Sequence, residues 1–220
     1  MKAIILVSGG MDSCVTATAA KVDGYDLSFL HINYGQRTEK RELKAFHDIA
    51  DYYMVNKRFV VDICHLSTIG GSCLTDKNIE IPGANLDNSD IPISYVPFRN
   101  ANILSAAVSW AEVINAIAIF VGAVEEDSSG YPDCRRSFFD AFEKVIDAGT
   151  KPETNIKIIT PLITLTKKEI VEKGISLNAP LHLTWSCYKN EDIPCGKCDS
   201  CALRTRGFLQ AGIKDPLDPS

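Results

Sequence analysis

Near the amino terminus, Ser8-Gly9-Gly10-Met11-Asp12-Ser13 places two glycines, two hydroxyls and a carboxylate directly after an apolar run. Glycines lack a Cβ, so their backbone N–H groups can close around an anion. A helix starting at Asp12-Ser13 would add the partial positive charge of its N-terminus. The hydroxyls of Ser8 and Ser13 could donate further hydrogen bonds. That chemistry is phosphate binding. Asp12 is the odd member, because a carboxylate repels phosphate; it makes sense if it holds Mg²⁺ or an ordered water. The string is not a Walker A loop, since no Gly-Lys-Ser/Thr follows. Nor is it Gly-x-Gly-x-x-Gly, which argues against a dinucleotide.

A second cluster lies near the carboxyl end. Of eight cysteines, Cys14, Cys64, Cys73 and Cys134 are scattered, whereas Cys187, Cys195, Cys198 and Cys201 crowd into 15 residues. Two short intervals can place three sulfurs around one tetrahedral ion, and the looser interval brings in the fourth. Gly196 allows the sharp turn between ligands. Four thiolates leave no open coordination position, so zinc there would be structural and would hold residues 185–220 against the sheet. An iron–sulfur cluster is the rival for the same ligands.

Three further loops carry polar side chains. Asn33-Tyr34-Gly35-Gln36-Arg37 could meet a nucleoside or a substrate, or be an ordinary strand-to-helix loop. Arg99, after Val96-Pro97-Phe98, could clamp a phosphate or carboxylate bidentately, or lie on the surface. Gly130-Tyr131-Pro132-Asp133-Cys134-Arg135 follows the acidic run Glu125, Glu126, Asp127. Its ring, carboxylate and guanidinium suit a planar heterocycle with an amidine edge; the alternative is a turn before a helix. Lys167 could reach a phosphate or be solvated. The four histidines show no metal-ligand spacing.

The elements that must position these groups read as an α/β alternation. Residues 2–7, 26–33 and 58–63 are apolar, β-branched runs that predict buried parallel strands, separated by helical patterns over 12–21 and 36–53. Further helices are expected over 102–115, 135–148 and 199–209, with strands over 117–124 and 156–159. Thr166-x-x-Glu169 is a capping box that opens one more helix. This order predicts a doubly wound, mostly parallel, Rossmann-like sheet, in which ligands bind beyond the carboxyl ends of the strands. Residues 64–94, with Gly70-Gly71, Pro82-Gly83, Asn85, Asn88 and Pro92, fit no element, and loops of that length are functional lids or mobile segments. No repeat or linker splits the chain, so 1–220 is expected to be one domain.

Composition agrees. The chain has 220 residues, 45% of them hydrophobic, and a net charge of −5. The acidic balance argues against broad binding to nucleic acid. No apolar run approaches the ~18 residues that span a bilayer, and the stretch before Ser8 is too short for a signal peptide. We therefore expect a cytoplasmic protein with no membrane partner and with thiols reduced or metal-bound.

The glycine string resembles the PP-loop of N-type ATP pyrophosphatases, which cut ATP between the α- and β-phosphates and adenylate a substrate oxygen. Taken with Tyr34-Gly35-Gln36-Arg37, Val96-Pro97, Arg99-Asn100, the loop 130–135, Thr160-Pro161-Leu162, Lys167 and the four cysteines, nearly the whole chain resembles the 7-cyano-7-deazaguanine synthase (QueC, or ExsB) family. The resemblance implies conversion of 7-carboxy-7-deazaguanine, ammonia and ATP to the nitrile that precedes queuosine. It implies a catalytic role for Asp12, Ser13 and Lys167. ATP contacts would come from Ser8, Gly9, Gly10, Met11, Asp12, Ser13, Cys14, Val15 and Arg99, although position 14 is often a hydroxyl residue in such loops. Substrate contacts would come from Tyr34, Gln36, Arg37, Tyr131, Asp133 and Arg135. It also implies Mg²⁺ with the ATP, zinc on the cysteines, and a homodimer that does not bind nucleic acid directly.

Overall fold

The apolar runs form five parallel strands: β1 (Lys2–Leu6), β2 (Asp26–Asn33), β3 (Arg58–Asp62), β4 (Ala118–Phe120) and β5 (Lys157–Ile159). The computed structural model describes residues 1–86, 90–125 and 130–218. Asn88, Glu126 and Asp127, noted above in the loops, lie outside the described residues. The strand order is β3-β2-β1-β4-β5, with every neighbouring pair parallel. The chain therefore builds outward from β1 on one side and then crosses to build outward on the other. The crevice between the ends of β1 and β4 is the topological switch point, where sheets of this kind bind ligands.

Successive side chains point to opposite faces of the sheet, and the central strands β1, β2 and β4 are buried on both. Ala3, Ile5, Phe29, Ala118 and Phe120 pack on one face with Cys14 and Ala17 of α1 (Met11–Val22) and with Phe46 and Ile49 of α2 (Glu39–Tyr52). Ile4, Leu30, Ile32 and Ile119 pack on the other face with Leu104 and Ala107 of α4 (Arg99–Ile114) and with Phe139 and Ile146 of α5 (Arg136–Gly149). Each fully buried Phe or Ile contributes about 1.5–3 kcal/mol of transfer free energy, so both faces are needed to hold the layers. Two more helices, α6 (Lys167–Ser176) and α7 (Asp199–Ala211), pack on each other beside α1.

Three differences from the sequence-based expectation bear on the site. The strand expected over 117–124 is only three residues long, because its ladder with β1 ends at the Ile5–Phe120 pair. Beyond Phe120 the described chain bonds the β5 side, from Val121 N to Ile159 O and from Glu125 N to Ile163 O. The separation leaves a cavity between the strand ends. Helix α4 begins at Arg99, three residues early, after a left-handed Phe98 (φ 57°). A short helix, α3 (His65–Ile69), opens the long loop. The described part of that loop is fastened in several places, including Cys73 N to Ile93 O and Ala84 N to Lys197 O. Among the described residues no helix is long and apolar enough to cross a membrane.

Gly122 shows how close the layers come at the switch point. A Cβ there would lie 3.0 Å from the carbonyl carbon and oxygen of Asp12 and from the nitrogen of Ser13. Those are backbone atoms of the first turn of α1 and cannot swing aside. Gly122→Ala should therefore cost about 1–3 kcal/mol and lower the thermal midpoint by about 3–10 °C. An unchanged midpoint in a melting curve would show that the turn has slack.

Candidate active site

The switch-point cavity measures about 290 Å³. At one end lies the glycine string. Gly9 adopts φ 89°, and a Cβ on it would fall 2.6 Å from the carbonyl oxygen of Glu42, so glycine is required there by both conformation and space. Gly10 is the N-cap of α1, and no side chain caps that end. The first N–H groups of α1 are the orphan donors of a helix start, which suit an anion. Ser13 Oγ donates to Gly10 O at 2.9 Å, and Ser8 Oγ lies 3.2 Å from Ser13 Oγ, so both hydroxyls are held at the loop.

Facing the loop is Lys167. The capping box forms as expected: Thr166 Oγ1 accepts from Glu169 N, and Thr166 N donates to Glu169 Oε2. It sets Lys167 as the first residue of α6. The side chain is only 9% exposed, and Nζ lies 2.6 Å from Asp12 Oδ2. A buried ammonium without a counter-charge would be strongly unfavourable, and Asp12 supplies that charge. Asp12 Oδ1 is buried and has no hydrogen-bond partner among the described residues. An orphaned carboxylate oxygen beside an anion cradle fits a divalent cation travelling with phosphate.

The other end of the cavity is aromatic and cationic. Arg99, on the first turn of α4, donates from Nη1 to Tyr34 Oη at 3.1 Å and lies 5.1 Å from the centre of the Tyr34 ring and 5.9 Å from that of Tyr131. Tyr131 Oη donates to Ser94 Oγ, which ties the ring to the long loop. Burial pushes the Tyr34 phenol above its ordinary pKa, so it stays protonated. Tyr188 completes the wall.

The sequence-predicted residues divide between lining and support. Ser8, Gly10, Met11, Asp12, Ser13, Tyr34, Arg99, Tyr131 and Lys167 line the cavity. Cys14 and Val15 point into the core behind the loop, and burial raises the Cys14 thiol to about 12. Gln36 accepts from Tyr34 N and donates to Glu42 Oε2, so it shapes its own turn. Arg37 donates to the backbone carbonyls of Cys73, Asp76 and Ile79 and pins the long loop. Asp133 accepts from Asn100 N at 2.9 Å and so secures the start of α4 beside Arg99. Arg135 is the exposed N-cap of α5. Glu42, Trp185, Tyr188 and Arg204 also line the cavity, and sequence pattern does not single them out. Glu42 carries no signal, because it sits in a charged helical run that reads as a solvated face.

The four clustered cysteines converge. Their sulfurs all lie within 4.8 Å of one another, and they could hold one metal ion. A tetrahedral ion with metal–sulfur bonds of about 2.3 Å would set the sulfurs about 3.8 Å apart, so little movement is needed. Backbone N–H groups of Lys189, Asn190 and Cys195 donate to Cys187 Sγ, which suits a thiolate. Cys198 is the N-cap of α7 and Cys201 lies in its first turn, where the helix end favours negative sulfur. The donated bonds, first among them from the Cys198 and Cys201 thiols, hold Cys187 far below the usual thiol range. None of the eight cysteines forms a disulfide.

This segment is part of the cavity wall. Trp185, Ser186, Tyr188, Leu203 and Arg204 all face the cavity. Trp185 N donates to Gly9 O at 2.8 Å, which links the segment to the glycine string. Arg204 reaches Asp215 through two nitrogens, at 2.7 and 2.8 Å, and Thr184 Oγ1 through a third, locking the carboxyl-terminal tail beneath the wall.

With this geometry in view, known proteins supply a comparison. The family model described as queuosine biosynthesis protein QueC matches residues 2–212. The 7-cyano-7-deazaguanine synthases of Chlorobium phaeobacteroides and Chloroherpeton thalassium are each 60% identical over 218 residues, covering 99% of this chain and 96% of theirs. Among solved structures, a predicted subunit of tRNA methyltransferase from Methanocaldococcus jannaschii aligns over 100% of this chain and 93% of its own, with TM-score 0.52 and 17% identity. NMN synthetase from Francisella tularensis aligns over 97% and 78%, with TM-score 0.51 and 15% identity. At those identities the structural likeness speaks for the fold alone.

Metal removal tests the coupling between the thiol cluster and the cavity. Elemental analysis should find one ion per chain, lost in Cys198→Ser. That loss should destabilise the chain by about 3 kcal/mol or more, lowering the thermal midpoint by about 6–12 °C, and should abolish ATP binding measured by calorimetry. Unaltered ATP binding in the metal-free variant would separate the two sites.

Proposed function

The chain belongs to the QueC family of queuosine biosynthesis proteins, and from that premise we propose that it converts 7-carboxy-7-deazaguanine, ammonia and ATP into 7-cyano-7-deazaguanine, as a ligase forming a C–N bond. The observation that carries this reading is the juxtaposition, in one cavity, of a phosphate cradle holding the Asp12–Lys167 pair and an arginine boxed by tyrosines.

A carboxylate is a poor electrophile, and joining one of its oxygens to the α-phosphorus of ATP gives it a leaving group. In our reading the orphan N–H groups of α1 and the hydroxyls of Ser8 and Ser13 hold the departing pyrophosphate. Lys167 would exchange Asp12 for phosphate oxygens, and Asp12, with its orphaned Oδ1, is the residue that would hold the metal. Mg²⁺, when bound, would neutralise charge on the phosphates and leaving group. Arg99 offers its guanidinium to the substrate carboxylate, and Tyr34 and Tyr131 offer ring faces to a flat heterocycle. Ammonia then displaces AMP to form the amide. A second ATP activates the amide oxygen, and loss of AMP with an N–H proton leaves the nitrile. No protein nucleophile is required, and catalysis is positioning and electrostatic stabilisation. Gln36, Arg37, Asp133 and Arg135 enter this scheme as supports of the substrate end.

Zinc is the ion we assign to the four thiolates, because they satisfy a closed tetrahedral site. Its role would be to cross-link residues 185–220, a subregion of one domain spanning 1–220, to the sheet. A cytoplasmic location suits reduced thiols, and we carry the homodimer over from the family resemblance.

Incubation with 7-carboxy-7-deazaguanine, an ammonium salt and ATP should yield the nitrile by mass spectrometry, together with AMP and pyrophosphate. Release of ADP and inorganic phosphate, or no dependence on the carboxylate, would refute the scheme. Asp12→Asn keeps the side-chain shape but removes its charge. It should reduce pyrophosphate release about 100- to 1000-fold with the metal content of the thiol cluster unchanged.

A further inference from the structure

Among the described residues the cavity is lined by two carboxylates, Asp12 and Glu42. Asp12 is paired with Lys167. Glu42 is different. Its oxygens accept from Thr38 Oγ1 at 2.6 Å and from Gln36 Nε2 at 3.3 Å, both neutral donors. No described lysine, arginine or histidine lies within ion-pairing distance of it. Two bonds leave lone pairs on both oxygens, since a carboxylate accepts about four.

Its place in the cavity is well defined. The Glu42 carbonyl backs onto Gly9 of the phosphate loop. The side chain reaches toward the substrate end, where Arg99 and Tyr34 are its electrostatic neighbours. It therefore stands between the cradle for the leaving phosphates and the arginine that would hold the carboxylate, where the carbonyl carbon must react. Burial pushes its carboxyl up to about 7, against the opposing hydrogen bonds from Thr38 and Gln36 and the charge of Arg99.

We infer that Glu42 is the ammonium-binding and proton-accepting group of this site, a role that rests on the activity proposed above. At neutral pH the available form of ammonia is the ammonium ion, a small cation with four N–H donors and no lone pair. A carboxylate with spare acceptor positions and no paired cation is the matching host. One proton passes from ammonium to Glu42, leaving neutral ammonia beside the activated carbonyl. The nitrogen lone pair forms the C–N bond, the bond from carbon to the AMP oxygen breaks, and AMP departs with those electrons. The amide nitrogen sheds its surplus proton to the AMP phosphate. The proton on Glu42 returns to solvent when products leave. Gln36 and Thr38 orient the carboxyl by their hydrogen bonds, which gives the Gln36 turn a purpose although it does not line the cavity.

The test uses the metal-loaded, full-length protein and the variants Glu42→Gln and Glu42→Asp. Two reactions need no ammonium: carboxylate-dependent exchange of pyrophosphate into ATP, and capture of the acyl adenylate by hydroxylamine, a neutral nucleophile at pH 7. In Glu42→Gln both should stay within about twofold of wild type, while nitrile formation at fixed ammonium falls about 100-fold. Glu42→Asp should recover part of the ammonium-dependent rate, which a role of shape alone would not allow, because glutamine matches glutamate in shape. Exchange and nitrile formation falling together would show that Glu42 merely supports the fold, and an unaltered ammonium dependence would also overturn the role. Absence of carboxylate-dependent exchange in the wild type would instead refute the underlying activity, and with it this role.

Discussion

The contact between Asp12 and Lys167 joins residues 155 positions apart and closes the end of the cavity that holds the glycine string. Much of the structure can be read as the means of holding it. The β1 strand delivers Asp12 into the first turn of α1, the capping box at Thr166 fixes where α6 begins, and Gly122 lets the end of β4 lie against the Asp12 backbone. The pair is a stable resting arrangement and also a reactive one. A buried ammonium and a carboxylate with one orphan oxygen are each better satisfied when a phosphate and a cation arrive together.

The same logic extends to the wall opposite. A four-cysteine segment is too short to have a core of its own, and the metal cross-link we propose at its thiols would hold its shape. Its sulfurs pack in one cluster with Tyr34 and with Cys73, Leu74 and Ile81 of the long loop. Through Trp185 the segment bonds the Gly9 carbonyl. Loss of the proposed cross-link would therefore be felt at the glycine string as well as at the carboxyl terminus.

The sheet, its parallel sense and the place of the glycine string are legible in the amino-acid sequence, because continuous apolar runs and a strand-to-helix glycine turn are local signals. The cysteine cluster is legible from spacing alone. Side chains whose role depends on distant partners are not. Arg37 lies beside Gln36 in a polar loop, and only the fold shows that its guanidinium is taken up by the carbonyls of Cys73, Asp76 and Ile79. Lys167 looks like any helix-start lysine until α6 is packed against α1. Glu42 sits in a charged helical stretch and becomes unusual only when the carboxyl is seen between Gly9 and Arg99. The short β4 is likewise unreadable from its own residues, since its length is set by where its pairing with β1 ends.

The central claim is that this cavity attaches substrate oxygen to the α-phosphorus of ATP, and oxygen labelling addresses it directly. Both carboxylate oxygens of 7-carboxy-7-deazaguanine would be replaced with ¹⁸O, and the nucleotide products analysed by mass spectrometry. Two adenylations in sequence predict two AMP molecules per nitrile, each carrying one labelled oxygen, with unlabelled pyrophosphate. Label in inorganic phosphate, or AMP free of label, would contradict the account.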